Sequence, residues 1–144
     1  MNRREVLLGG LSFAATALVT KAQAAEMKHE HHHNMMGNSA LSAATADCIQ
    51  KSQVCLSHTI MLMGAGDKDM AACAQSVNEV LAICSALQSL ANQESEFLPK
   101  LAALAVAACK KCEDECAKHK EHEVCKACGE SCAACAKECK KIAA

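Results

Sequence analysis

Aromatic side chains are almost missing from this chain of 144 residues, which has two phenylalanines and no tyrosine or tryptophan. Phe13 falls in an apolar N-terminal run, so Phe97 alone is left to a folded domain. A core without Phe, Tyr and Trp lacks the side chains that bury most area per residue. Alanine, leucine, valine and cysteine must fill it instead. Proline occurs once, at Pro99, and glycine six times, so helix breakers are few. Arginine is confined to Arg3 and Arg4. Beyond residue 24 the chain has twelve lysines against fifteen acidic residues, a formal charge of −3. That balance excludes the basic footprint of a nucleic-acid binder.

The opening MNRREVLLGGLSFAATALVTKAQA reads as a cleaved export signal over residues 1–24. It has the twin arginine, an apolar run from Val6 to Val19, and Ala22-Gln23-Ala24 as an A-x-A cleavage motif. An ordinary secretory signal is the alternative. The run falls short of the roughly 20 apolar residues a spanning helix needs, so stable membrane insertion is not expected. The working protein is expected to start near Ala25 in the periplasm or outside the cell. Residues 25–40 read as a flexible tail rich in His and Met, with His29, His31, His32, His33, Met27, Met35 and Met36. Such a tail binds metal ions weakly or merely keeps the chain soluble.

Residues 41–144 read as one all-α domain. Gly64-Ala-Gly66-Asp67 and Asn92-Gln93-Glu94-Ser95 are breaks, Pro99 sits in an opening turn, and a third break falls at His119–His122 without Gly or Pro. The spacing predicts helices over 41–64, 67–91, 96–119 and 122–142. Short connections make neighbours antiparallel, which predicts an up-down-up-down four-helix bundle with a Cys-lined core. The inward stripes are Leu41, Thr45, Cys48, Ser52, Cys55, Thr59 and Leu62; then Cys73, Val77, Val80, Cys84, Leu87 and Ala91; then Leu98, Ala102, Ala105, Cys109, Cys112 and Cys116. The fourth helix, CKACGESCAACAKEC, puts Cys125, Cys128, Cys132, Cys135 and Cys139 at every bundle-facing position, at steps of three and four.

Twelve cysteines on shared faces are too many to be incidental small hydrophobes. An even count in an exported chain suggests disulfides. Helical neighbours three or four apart have Cβ atoms about 5–6 Å apart, too far for an unstrained bridge. Bridges between helices would need partners at matching heights. The remaining reading is a metal held by thiolates. Zinc sites want four ligands grouped on turns, and a continuous ladder offers no grouping into fours. Iron–sulfur ligation commonly uses a wrapping loop, and none surrounds these cysteines. Cu(I) is soft and needs only two or three thiolates, which a ladder supplies repeatedly. One Cu(I) per thiolate also leaves a core neutral where no buried cation could do so.

The export signal, the four-helix pattern and the CxxC-x(3)-CxxC-x(3)-C helix ending KECKKIAA resemble the exported, twin-arginine-type bacterial copper storage proteins. The resemblance covers essentially the whole mature chain. It implies a homotetramer of four-helix bundles, each holding many Cu(I) ions, and supply of copper to copper enzymes, notably in methane-oxidising bacteria. Copper chaperones are further possible clients. One departure is Thr59, which follows Cys55-Leu-Ser-His58 where members can carry another cysteine. With Ser52 also on the seam, sulfur is sparser on helix 1.

Antiparallel topology gathers His58, Met61, Met63, Met70, His119 and His122 at one end, where thioether and imidazole can pass ions inward. His58, three residues beyond Cys55, is the favoured candidate; the methionines are also ordinary core filler and His119 and His122 ordinary turn residues. No nucleophile–base–orienter set is present, so an enzyme is not expected. The competing functions are metallothionein-like copper detoxification, a zinc buffer, and a disulfide-bonded structural helical protein. A thiol–disulfide oxidoreductase is more distant, because CxxC lacks a βαβ setting.

Overall fold

The computed structural model describes residues 38–144. The expected signal and the tail's His29, His31, His32, His33, Met27, Met35 and Met36 lie outside the described residues. Alanine-rich stretches with few breakers favour helix, and four helices form: α1 (Ser39–Gly64), α2 (Ala71–Asn92), α3 (Leu98–Ala117) and α4 (Glu123–Cys139). A short 3₁₀ turn, Lys68–Met70, precedes α2. Among the described residues the backbone of α1 packs on α2 and α4, and that of α3 on α2 and α4, while across the diagonals only side chains meet. This is the expected antiparallel four-helix ring.

Helix ends differ from the periodicity where local hydrogen bonding intervenes. Helix α1 starts at Ser39, two residues inside the expected tail, because the Ser42 amide already bonds to Asn38 O at 2.8 Å. The second helix was expected from residue 67. Instead Gly66 takes φ +101°, Asp67 Oδ1 accepts the Asp69 amide at 3.1 Å, and a 3₁₀ turn forms before α2. Glu94 at φ +50° turns the chain out of α2, and Leu98 then starts α3 with Pro99 in its first turn. Helix α3 stops at Ala117, two residues short of 119. The break without Gly or Pro is closed by backbone bonds, His119 N to Cys116 O and His122 N to His119 O, both 3.0 Å. Helix α4 ends at Cys139, and 140–142 form a turn.

The buried stripes follow the expected seams. On α1 they are Leu41, Thr45, Cys48, Ser52, Cys55 and Thr59, while Leu62 in the last turn is half-buried. Helix α3 buries Leu98, Ala102, Ala105, Cys109, Cys112 and Cys116. Helix α2 adds Ala74 and Ser76 to its seam, and α4 adds Gly129, Ser131 and Ala136. These are small residues, which let neighbouring helices approach closely. At Gly129 a Cβ would stand 3.3 Å from Cys116 Cβ. Ser76 and Ser131 satisfy their buried hydroxyls on the carbonyls of Cys73 and Cys128.

The core is not uniform along its axis. Leu41, Leu87, Ala91, Leu98, Ala102 and Ala105 close one end with aliphatic packing. A fully buried Leu or Val contributes about 1.5–3 kcal/mol. Sulfur fills most of the remainder, beside Val77, Val80, Thr45, Ser52 and Thr59. Residues 68–92 are long and apolar enough by composition to cross a membrane; the buried stripe of α2 accounts for that apolarity.

Candidate metal centre

All twelve cysteines, Cys48, Cys55, Cys73, Cys84, Cys109, Cys112, Cys116, Cys125, Cys128, Cys132, Cys135 and Cys139, are fully buried free thiols. Helices α1 and α4 set the register. Thr45 Oγ1 faces Cys135 Sγ at 3.9 Å, Cys48 Sγ faces Cys132 Sγ at 3.8 Å, and Ser52 Oγ faces Cys128 Sγ at 3.6 Å. Cys55 Sγ follows at 3.9 Å from Cys125 Sγ, then His58 Nε2 at 3.2 Å from His122 Nδ1. Steps of three, four, three and three along α1 meet the same steps reversed along α4. Helices α2 and α3 add Cys73 to Cys116 at 3.9 Å, and Cys84 reaches Cys135 at 3.9 Å. The closest sulfurs are thus nearly twice a disulfide bond length apart.

The thiols fall into groups whose sulfurs all lie within 4.8 Å of one another. Nearest the histidines are Cys55, Cys73 and Cys125, then Cys55, Cys116 and Cys128, then Cys112, Cys128 and Cys132. Deepest is a tetrad, Cys48, Cys84, Cys109 and Cys135, with one thiol from each helix. The expectation that the ladder has no grouping into fours is therefore corrected. Linear spacing shows one helix at a time, whereas the tetrad forms across four.

No cation balances these sulfurs. The buried polar side chains among the described residues are Thr45, Ser52, Thr59, Ser76 and Ser131, all neutral. Hydrogen bonds between thiols decide which of them ionise. Cys109 and Cys132 hold Cys48 down to about 5, and Cys116 and Cys55 hold Cys73 down to about 3. Cys128 is drawn down chiefly by Cys112 and Cys116, and Cys135 by Cys109 and Cys139. Their neighbours move up: Cys84 and Cys132 beside Cys109, Cys116 beside Cys112, and Cys139 beside Cys135. Burial leads at Cys125, pushed up to about 11. A low thiol is a ready ligand, because the thiolate is the species that binds a metal.

The histidine end is assembled as the topology requires, with differences among its members. His58 and His122 are half-buried and face each other, and His119 is half-buried in the turn. Met70 is 1% exposed behind the 3₁₀ turn. Met63 is half-buried, whereas Met61 is 62% exposed and turned away from the thiols. It lines an outer groove with Gln53, Val54, Ser57, His58 and Val124. Met61 is thus placed apart from the interior, as consecutive odd positions on one helix cannot share a face.

In comparison with protein families, the model of the copper storage protein family matches residues 34–144. Comparison with curated proteins gives no match. Among solved structures, apo copper storage protein 3 from Bacillus subtilis aligns with TM-score 0.66 and 27% identity, over 74% of this chain and 99% of that one. The Cu(I)-bound copper storage protein BsCsp3 aligns with TM-score 0.67 and 26% identity, over 75% of this chain and 99% of that one.

Proposed function

We propose that this chain, which belongs to the copper storage protein family, holds many Cu(I) ions on its core thiolates as a reserve for copper enzymes and performs no catalysis. The observation that carries this reading is the column of twelve fully buried free thiols with no buried cation beside it among the described residues. Each Cu(I) that displaces a thiol proton leaves the core neutral. The three-thiol groups suit an ion that accepts two or three soft ligands. Capacity then approaches the thiol count.

Copper passes in at the His58–His122 end, since the opposite end is sealed by Leu41, Leu87 and Leu98. Imidazole binds Cu(I) less tightly than thiolate, so ions captured there move downhill into the column. His119 and the thioethers of Met63 and Met70 stand at the same end as secondary ligands. The twin arginine at Arg3-Arg4 and the Ala22-Gln23-Ala24 motif support export before copper is loaded. The resemblance supports a homotetramer and copper enzymes or chaperones as clients.

A second reading attaches to the tetrad alone. Four thiols from four helices within 4.8 Å match the donor set of a structural zinc site. A tetrathiolate zinc carries two net negative charges, and no cation is buried among the described residues to offset them. Copper therefore fits the whole column better, and zinc at most this one place. Titration of the reduced protein with Cu(I) and, separately, Zn(II) against a competing chelator tests both. About one Cu(I) per cysteine and no more than one Zn(II) per chain is expected. Copper saturation at one or two ions overturns the storage reading.

A further inference from the structure

We infer that the sulfur column is two copper pools joined at a single thiol, Cys132, and that copper reaches the inner pool through it. The inference rests on the copper-storage reading and adds a residue with a distinct task.

The tetrad Cys48, Cys84, Cys109 and Cys135 shares no member with the three groups nearer the histidines. Those three are chained together by shared thiols, Cys55 between the first two and Cys128 between the second and third. Only Cys132 reaches from the third group to the tetrad within sulfur hydrogen-bonding distance among the described residues, at 3.8 Å from Cys48. Its sulfur stands within 4.8 Å of those of Cys112 and Cys128 in the outer pool, besides facing Cys48 in the inner one. Cys139 lies beyond, 4.0 Å from Cys135.

Helices α1 and α2 carry no sulfur across the waist, and on α3 the Cβ atoms of Cys109 and Cys112, three residues apart, stand about 5–6 Å from each other. Between Cys48 and Cys55, α1 turns Ser52 inward; between Cys73 and Cys84, α2 turns Val77 and Val80 inward. The aliphatic plug closes the far end, so the inner pool has no second door. A metal handed directly from one sulfur to another must touch both. With metal–thiolate bonds near 2.3 Å, as for zinc, the two sulfurs must lie within about 4.6 Å. Past Cys132 the next step on α4 would be from Cys128 to Cys135, two helical turns or about 10 Å. At each hop through Cys132 a new copper–sulfur bond forms as the old one breaks. The proton of the receiving thiol passes to the sulfur left behind, and copper stays cuprous.

The test follows copper filling in the reduced full chain. Cu(I) is supplied from a chelator, loading is read from thiolate-to-copper absorption, and unmetallated thiols are mapped at timed points by alkylation and mass spectrometry. The wild type is expected to fill in one phase. Cys132→Ser is expected to protect Cys55, Cys73, Cys112, Cys116, Cys125 and Cys128 at the normal rate while Cys48, Cys84, Cys109, Cys135 and Cys139 fill tenfold or more slowly, a barrier about 1.4 kcal/mol higher. Cys139→Ser loses one thiol as well and should keep one phase, which separates the relay from simple ligand loss. Adding Ser52→Cys to Cys132→Ser puts sulfur opposite Cys128, one turn from Cys48, and should restore fast inner filling. Unchanged inner filling in Cys132→Ser, or an equal block in Cys112→Ser through the Cys109–Cys112 face of α3, overturns the relay. A wild type that binds only one or two coppers overturns the storage reading, and the relay with it.

Discussion

His58 Nε2 stands 3.2 Å from His122 Nδ1, with ring centroids 5.0 Å apart, one turn beyond the Cys55–Cys125 pair. One ring donates and the other accepts, so the two hold each other over the open end of the sulfur column. Removing both, as His58→Ala with His122→Ala, is expected to slow Cu(I) uptake severalfold, roughly 1 kcal/mol of barrier. The final copper count should not change, because no thiol is lost. Stopped-flow uptake and an endpoint titration measure the two separately.

Gly129 brings α4 against α3 closely enough that a Cβ would sit 3.3 Å from Cys116 Cβ and 3.7 Å from Glu113 O. The 3.3 Å approach is tighter than ordinary van der Waals contact, so α3 and α4 must part by a few tenths of an ångström to admit a Cβ. Gly129→Val should destabilise the apo protein by about 1–3 kcal/mol through overpacking. Chemical denaturation followed by circular dichroism checks it; an unchanged midpoint would mean that the helices part without penalty.

Leu87 is fully buried in the aliphatic end of the core. Its packing does not depend on metal, so the apo chain is expected to be helical already. Leu87→Ala should cost about 2–5 kcal/mol of apo stability, measured as a thermal or denaturant shift. An apo wild type without helical dichroism would show that copper, not grease, makes the fold.

Alkaline pH should weaken the apo protein. Cys84, Cys116, Cys132 and Cys139 are held above the ordinary thiol value of 9.0, and Cys125 at about 11, so they stay protonated in the folded state. In the unfolded chain they ionise above 9.0. The unfolded state then binds fewer protons and stability falls as pH rises, by about 1.4 kcal/mol per thiol per pH unit inside the window. Cys48, Cys73, Cys128 and Cys135 are held below 9.0 and have the opposite sign; their contribution is complete only above 9.0 and is lost as pH falls below it, so the raised thiols govern the slope above 9.0. Anaerobic melting of apo protein at about pH 9.5 and about pH 10.5 should show a lower midpoint at the higher pH by several degrees. Copper-loaded protein, whose thiols have already given up their protons, should change much less.

Much of this was legible in the order of residues. The stripe from Leu41 to Thr59 on α1 and that from Leu98 to Cys116 on α3 are buried as the three-and-four spacing requires. His58 was legible for the same reason, lying on the face of Cys55. Helix ends were less so: the 3₁₀ turn at Lys68–Met70 depends on Asp67 bonding two residues ahead, and the close of α3 depends on backbone bonds at His119 and His122. Met61 shows the same limit, since only packing reveals that it opens onto an outer groove.

The amino-acid sequence by itself determined that thiols line one face of each helix and that soft cations suit them. Periodicity dictates which side chains turn inward, and sulfur chemistry dictates what they bind. Only the tertiary structure decided how those thiols group. The tetrad and the Cys132 junction depend on the relative heights of four helices, and turns and side-chain packing set those heights at long range. No spacing along a single helix encodes them.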